Sequence, residues 1–166
     1  MVFNLGEGLE GRLFEEPRIV WALEAMGYWY TGSDGQAVAN SVDKALAKAL
    51  LVRNGVLTPP WMLVRHPDEL RGRCSDVPFP LIVKPVAEDA SIGVGPEGVV
   101  WTLSALRERV GYVVERYRQA ALCEAFIVGR EFNVSVWGDP PEVLPLAEID
   151  FGAFANPYER IVSFAA

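Results

Sequence analysis

Lys84 ends an apolar run, Pro80-Leu81-Ile82-Val83, and seven residues later a small-residue loop begins, Ser91-Ile92-Gly93-Val94-Gly95. A buried strand fixes one ammonium in place, and a loop rich in small residues can bring backbone N–H groups over the same anion. Together they read as a phosphate clamp, which points to an enzyme that uses a nucleotide. Glu124 and Glu131, seven apart, add carboxylates of the kind that accept both hydroxyls of a ribose. Only three lysines occur, Lys44, Lys48 and Lys84, so most positive charge is arginine and each lysine invites a role. On residue chemistry alone, Lys84 fits a solvated strand end equally well, and Glu124 and Glu131 taken singly fit solvated positions better.

The elements that must hold these groups alternate between helical and strand-like patterns. Residues 1–5 read as the end of a strand entering a loop over 6–11. Pro17 opens a helix with Ile19, Leu23 and Met26 at helical spacing and Gly27 as its cap. Residues 28–30 form a short strand before a turn at 31–35. Asn40 or Ser41 caps a second helix whose stripe is Val42, Leu46, Ala49 and Leu50, ending near Gly55. Beyond the rigid Thr58-Pro59-Pro60 linker come a strand at 61–64, a short helix at 67–71, the Lys84 strand and a strand at 99–101. Thr102 or Ser104 starts a long helix with Leu106, Val110, Val113, Val114 and Tyr117 inward. Strands follow at 121–127, 131–137 and 143–149, the last two joined by the Asp139-Pro140-Pro141 turn. The class is α+β.

Other readings are excluded by context. Gly93 to Gly98 satisfies G-x-G-x-x-G, but Pro96 interrupts it and a strand follows where the dinucleotide fingerprint needs a helix. No Walker pattern occurs. Cys74 and Cys123 have neither zinc nor disulfide spacing, so both read as reduced thiols. His66, the single histidine, lacks triad partners. A formal charge of −7 over 166 residues excludes a general nucleic-acid surface, and no apolar run reaches a membrane span. The chain reads as soluble and cytoplasmic.

Four segments, Tyr30-Thr31-Gly32-Ser33-Asp34, then Val42-Asp43-Lys44-Ala45-Leu46-Ala47-Lys48, then Phe79 to Pro85 around Lys84, then Glu124-Ala125-Phe126-Ile127-Val128-Gly129-Arg130-Glu131-Phe132, occur in an order and spacing that resembles D-alanine–D-alanine ligase and its relatives in the ATP-grasp superfamily. The resemblance implies an ATP-grasp fold and a carboxylate–amine ligase of peptidoglycan biosynthesis that works through an acyl phosphate. It implies that Lys44 and Lys84 contact ATP phosphates, that Ser91, Ile92 and Gly93 belong to the closing loop with Ser91 catalytic, and that Glu88 helps order that loop. Glu124, Phe126 and Ile127 become the hinge strand beside adenine, and Glu131 the ribose ligand. Glu7 is a weaker substrate-side candidate. Magnesium accompanies ATP in such enzymes, with protein ligands expected downstream of this chain and none within it.

The same resemblance divides the chain into the end of an N-terminal domain (1–40), a central domain (41–123) and the start of a C-terminal domain (124–166), an internal piece of a longer fold. Ala90 stands where the family often has serine, and Asp89 where it usually has glycine. Expected partners are small amino acids, D-alanine foremost, with a homodimer possible and neither nucleic acid nor membrane. The alternatives are a non-catalytic ATP-binding or interaction module and an inactive truncated product.

Overall fold

The computed structural model describes residues 1–9, 11–72 and 77–163. Cys74, with the thiol expected there, lies outside the described residues.

Strand β1 (Trp61–Val64), β2 (Leu81–Pro85), β3 (Val99–Val100) and β4 (Ala121–Ala125) form an antiparallel sheet in the order β1-β4-β2-β3. β2 and β4 lie in the middle, and their near-continuous apolar runs suit strands covered on both faces. Side chains alternate across a strand. Met62, Val64, Leu81, Val83, Ala121, Cys123 and Ala125 therefore meet one layer, while Trp61, Leu63 and Leu122 meet the other.

The first layer is helix α4 (Leu103–Tyr117), which packs Leu106, Val110 and Val113 into the sheet with Val114 and Tyr117 partly buried, as the periodicity predicts. Thr102 is its N-cap, its hydroxyl accepting from the Ala105 N–H at 3.2 Å. Left-handed Arg118 (φ 57°) ends the helix and returns the chain into β4. Residue 66 has a local duty too, since the His66 ring caps the short helical turn at Pro67–Leu70.

Upstream, helix α1 (Glu16–Ala25) buries Pro17 and Val20; Ile19 and Leu23 are only partly covered and Met26 is exposed. Gly27 closes it at φ 71°. The expected strands at 1–5 and 28–30 shrink to a parallel bridge between Val2 and Tyr30.

The region read as one helix from residue 40 is two. Helix α2 (Gly35–Val42) is capped by Asp34, which accepts from the Ala37 N–H at 2.7 Å, and helix α3 (Lys44–Arg53) by Asp43, which accepts from Ala45 and Leu46. Two aspartate caps nine residues apart set those starts, and Asp43 ends the first helix by taking an extended conformation. The inward face of α3 also differs from its apolar stripe: Lys48 is 9% exposed and Ala45 8%, whereas Leu46 is 42% exposed. Glu124 on β4 draws Lys48 in, and that attraction overrides the hydrophobic pattern. Asp43→Ala removes the cap and costs about 1 kcal/mol, measurable by urea denaturation, with the loss felt first at Lys44.

The two C-terminal strands break into short pieces. β5 (Phe132–Asn133) pairs with β8 (Ala147–Glu148), and β6 (Val136–Trp137) with β7 (Glu142–Val143), a nested hairpin as the alternation anticipates. All four strands are exposed on both faces. Among the described residues no helix is long and apolar enough to cross a membrane.

Candidate nucleotide site

Lys84 and Glu124 share the sheet face that looks away from α4. Lys84 pairs in register with Leu122 and Ile82 with Glu124, which makes lysine and glutamate diagonal cross-strand neighbours. Lys44 and Lys48 stand one helical turn apart on α3 and approach the same face. Lys48 Nζ lies 2.7 Å from Glu124 Oε2, and Lys84 Nζ pairs with Glu124 Oε1. One carboxylate thus holds two ammoniums apart at fixed positions.

Burial pushes the Glu124 carboxyl up, but Lys84 and Lys48 outweigh it and leave the group below the usual carboxylate range. Lys44 goes the other way. Burial lowers its ammonium, the charge of Lys84 lowers it further, and Glu88, Asp89 and Asp43 only partly compensate. Its Nζ donates to the Glu88 carbonyl oxygen. Lys44, Lys48 and Lys84 converge on this face around the Glu124 carboxylate, with Glu88 and Asp89 in the neighbouring loop, so ammonium donors stand ready at fixed positions for an anion.

The loop after β2 closes over that face. The Ala87 N–H donates to Gln119 Oε1 and Gln119 Nε2 donates to Glu88 Oε1, both at 2.6 Å. Ala90 (φ 44°) and Ser91 (φ 60°) are left-handed, which non-glycine residues adopt at a cost. The N–H of Ile92 then donates to the Asp89 carbonyl and that of Val94 to the Ser91 carbonyl. Gly93 needs both its φ of 74° and its missing side chain, because a Cβ there would sit 2.7 Å from Pro85 and 3.0 Å from Tyr117. Gly93→Ala should destabilise the chain by about 1–3 kcal/mol and speed proteolysis within residues 88–95. Thermal melting and limited proteolysis check both effects.

A cavity of about 770 Å³ opens between this face and the β5–β8 segment, within the range of cofactor pockets. Lys44, Lys84, Glu88 and Ser91 line one wall. Glu124, Phe126, Ile127 and Glu131 line the rest, so eight of the expected nucleotide residues share one cavity. Ile92 and Gly93 belong to the loop but not to the lining, and Glu7 lies elsewhere. Glu7 instead acts with Asp89 on Glu16, whose carboxyl is raised by burial first and by those two charges next. The side chain of Glu124 turns onto Lys48 and Lys84, a contact its place on β4 did not announce.

Sequence reasoning missed several contributors. Lys48 was within reach, since its position one turn after Lys44 puts both on one helix face. Ile82, Ile149, Arg160, Ile161 and Val162 also line the cavity, with no local signal to mark them. Just upstream of the last three, the Tyr158 ring centroid lies 4.4 Å from that of Trp101, edge-on, and 5.7 Å from that of Phe126, and the Arg160 guanidinium donates to the Phe154 carbonyl at 3.1 Å.

The clamped loop, the paired lysines and the cavity under a second strand layer define an ATP-grasp fold. Comparison with known proteins agrees. The family profile described as "D-ala D-ala ligase C-terminus" matches residues 50–159. An uncharacterized protein of Sinorhizobium fredii is 36% identical over 158 residues, covering 95% of this chain and 45% of its own length. The D-alanine–D-alanine ligase of Delftia acidovorans is 34% identical over 155 residues, covering 93% and 43%. The D-alanine–D-alanine ligase of Bacillus anthracis, solved in complex with ATP, superimposes with a TM-score of 0.68 at 26% identity, over 89% of this chain and 47% of that one. The chain belongs to the D-alanine–D-alanine ligase family, and it spans less than half the length of these relatives.

Proposed function

We propose that this chain is the ATP-binding part of an ATP-dependent carboxylate–amine ligase, with D-alanine as the leading substrate. The observation that carries the reading is the convergence of Lys44, Lys84 and the Glu88-to-Ser91 loop on one wall of a nucleotide-sized cavity. The Bacillus anthracis relative, solved with ATP, supports the choice of nucleotide.

In this reading Lys44 and Lys84 neutralise phosphate oxygens, and Lys48 holds Glu124 so that its other oxygen fixes Lys84. Adenine packs on Phe126 and Ile127, and Glu131 accepts the ribose hydroxyls. The γ-phosphoryl group passes to a substrate carboxylate, the β–γ bond breaks to give ADP, and the acyl phosphate is attacked by an amine with loss of phosphate. The protein's part is charge neutralisation and alignment, because phosphoryl transfer asks for little covalent help. In the same reading Ser91, at the strained tip of the loop, is the catalytic residue, and Glu7 a weaker candidate for a substrate-side carboxylate.

Magnesium would travel on the nucleotide. Its role there would be to neutralise phosphate charge, beside the lysines of this chain. The domain division at 1–40, 41–123 and 124–166 belongs to the same proposal, with β4 as the strand shared across the second boundary. So do a cytoplasmic setting, where ATP is made, and a homodimer.

The test is turnover of ATP with D-alanine by the natural protein that contains these residues, following phosphate and dipeptide together. Equal amounts of both support the proposal. Phosphate without dipeptide, or neither product, overturns the ligase reading.

A further inference from the structure

We propose that Arg109 and Gln119 are positioning residues that hold the two ends of the phosphate loop, so that its strained tip is presented to the nucleotide; the proposal rests on the ATP reading above. Neither residue lines the cavity. Each acts through the loop.

Gln119 holds the entry. It directly follows Arg118, whose left-handed turn ends α4 and brings the next side chain beneath the loop. Its amide accepts from the Ala87 N–H and donates to the Glu88 carboxylate, both at 2.6 Å. A carboxamide can accept and donate at once, which a lysine or a carboxylate cannot. The Glu88 side chain is thereby pinned while its carbonyl oxygen meets Lys44.

Arg109 holds the exit. Its side chain is 10% exposed, and its guanidinium donates to the Gly93 carbonyl at 3.0 Å and to Glu97 Oε1 at 3.2 Å while lying 4.8 Å over the Tyr112 ring. Glu97 is 62% exposed, so that ion pair contributes little by itself. The buried Nε–H has no hydrogen-bond partner among the described residues, so the guanidinium is desolvated for the sake of its other contacts. The Gly93 carbonyl and the Tyr112 face are those contacts. Two loop carbonyls that would repel a phosphate, those of Glu88 and Gly93, are thus each tied to a cation. Between the posts lie Ala90 and Ser91, and left-handed residues of this kind persist only where their surroundings hold them.

The test compares Arg109→Lys and Gln119→Glu with the wild type in two calorimetric titrations, ATP and adenosine, and in amide hydrogen exchange over residues 88–94. Loop positioning predicts ATP affinity about tenfold weaker, the scale of a lost hydrogen bond, with adenosine affinity unchanged and loop exchange faster. Gln119→Glu sets two carboxylates against each other, and adding Glu88→Gln reverses donor and acceptor and should restore slow exchange. Equal losses for ATP and adenosine would make the residues merely structural and overturn the proposal. Unchanged ATP binding in both variants, with a wild type that binds, would overturn it alone. A wild type that binds no ATP overturns the nucleotide reading and this inference with it.

Discussion

Glu124→Ala should lower the stability of the chain by about 3 kcal/mol, the cost of leaving buried charge without its counter-ion. Two ammoniums depend on that carboxylate, Lys48 with 11% of its side chain exposed and Lys84 with 21%. Removing it leaves both without their counter-ion, with the Lys44 charge close to Lys84. Urea denaturation of wild type and variant measures the gap. Its pH dependence identifies the cause. Glu124 is held below the usual carboxylate value of 4.5, so its contribution is complete above that value and is lost as pH falls through its lowered folded-state pKa. The difference between wild type and Glu124→Gln should therefore be full at neutral pH and close in acid. A gap independent of pH would assign the effect to packing rather than charge.

Lys84→Ala should weaken ATP binding by about 2–3 kcal/mol, roughly 30- to 150-fold, since it deletes a charge-assisted contact to phosphate. The same change should disturb the fold less than Glu124→Ala does, because Lys48 continues to hold the carboxylate at 2.7 Å. Parallel calorimetric and urea titrations separate the two effects. A variant that binds ATP as the wild type does would place the phosphates away from Lys84.

Much of this arrangement is legible in the sequence. Lys84 announced itself through the apolar run before it and the small-residue loop after it, and α4 through a stripe whose Leu106, Val110 and Val113 are all buried. What stayed hidden has a common physical source. Asp34 and Asp43 each cap a helix, yet the longer apolar pattern masked the break between α2 and α3. On α3 the amphipathic stripe named the wrong face, because Glu124, about eighty residues away, supplies a charge that local periodicity cannot sense. Gln119 and Arg109 carry no motif; their meaning comes from α4 running beneath a loop that precedes it in the chain. Contacts across the fold, rather than composition or spacing, decide such positions.

In the proposed reading one cavity, bounded by Lys44, Lys84 and the Gly93 loop, holds ATP. Calorimetric titration of the chain with ATP and magnesium tests it most directly. Saturable binding of one nucleotide per chain is expected, abolished or strongly weakened when Lys44 and Lys84 are both replaced by methionine. Saturable binding that survives the double replacement, or no binding by a folded wild-type chain, would contradict it.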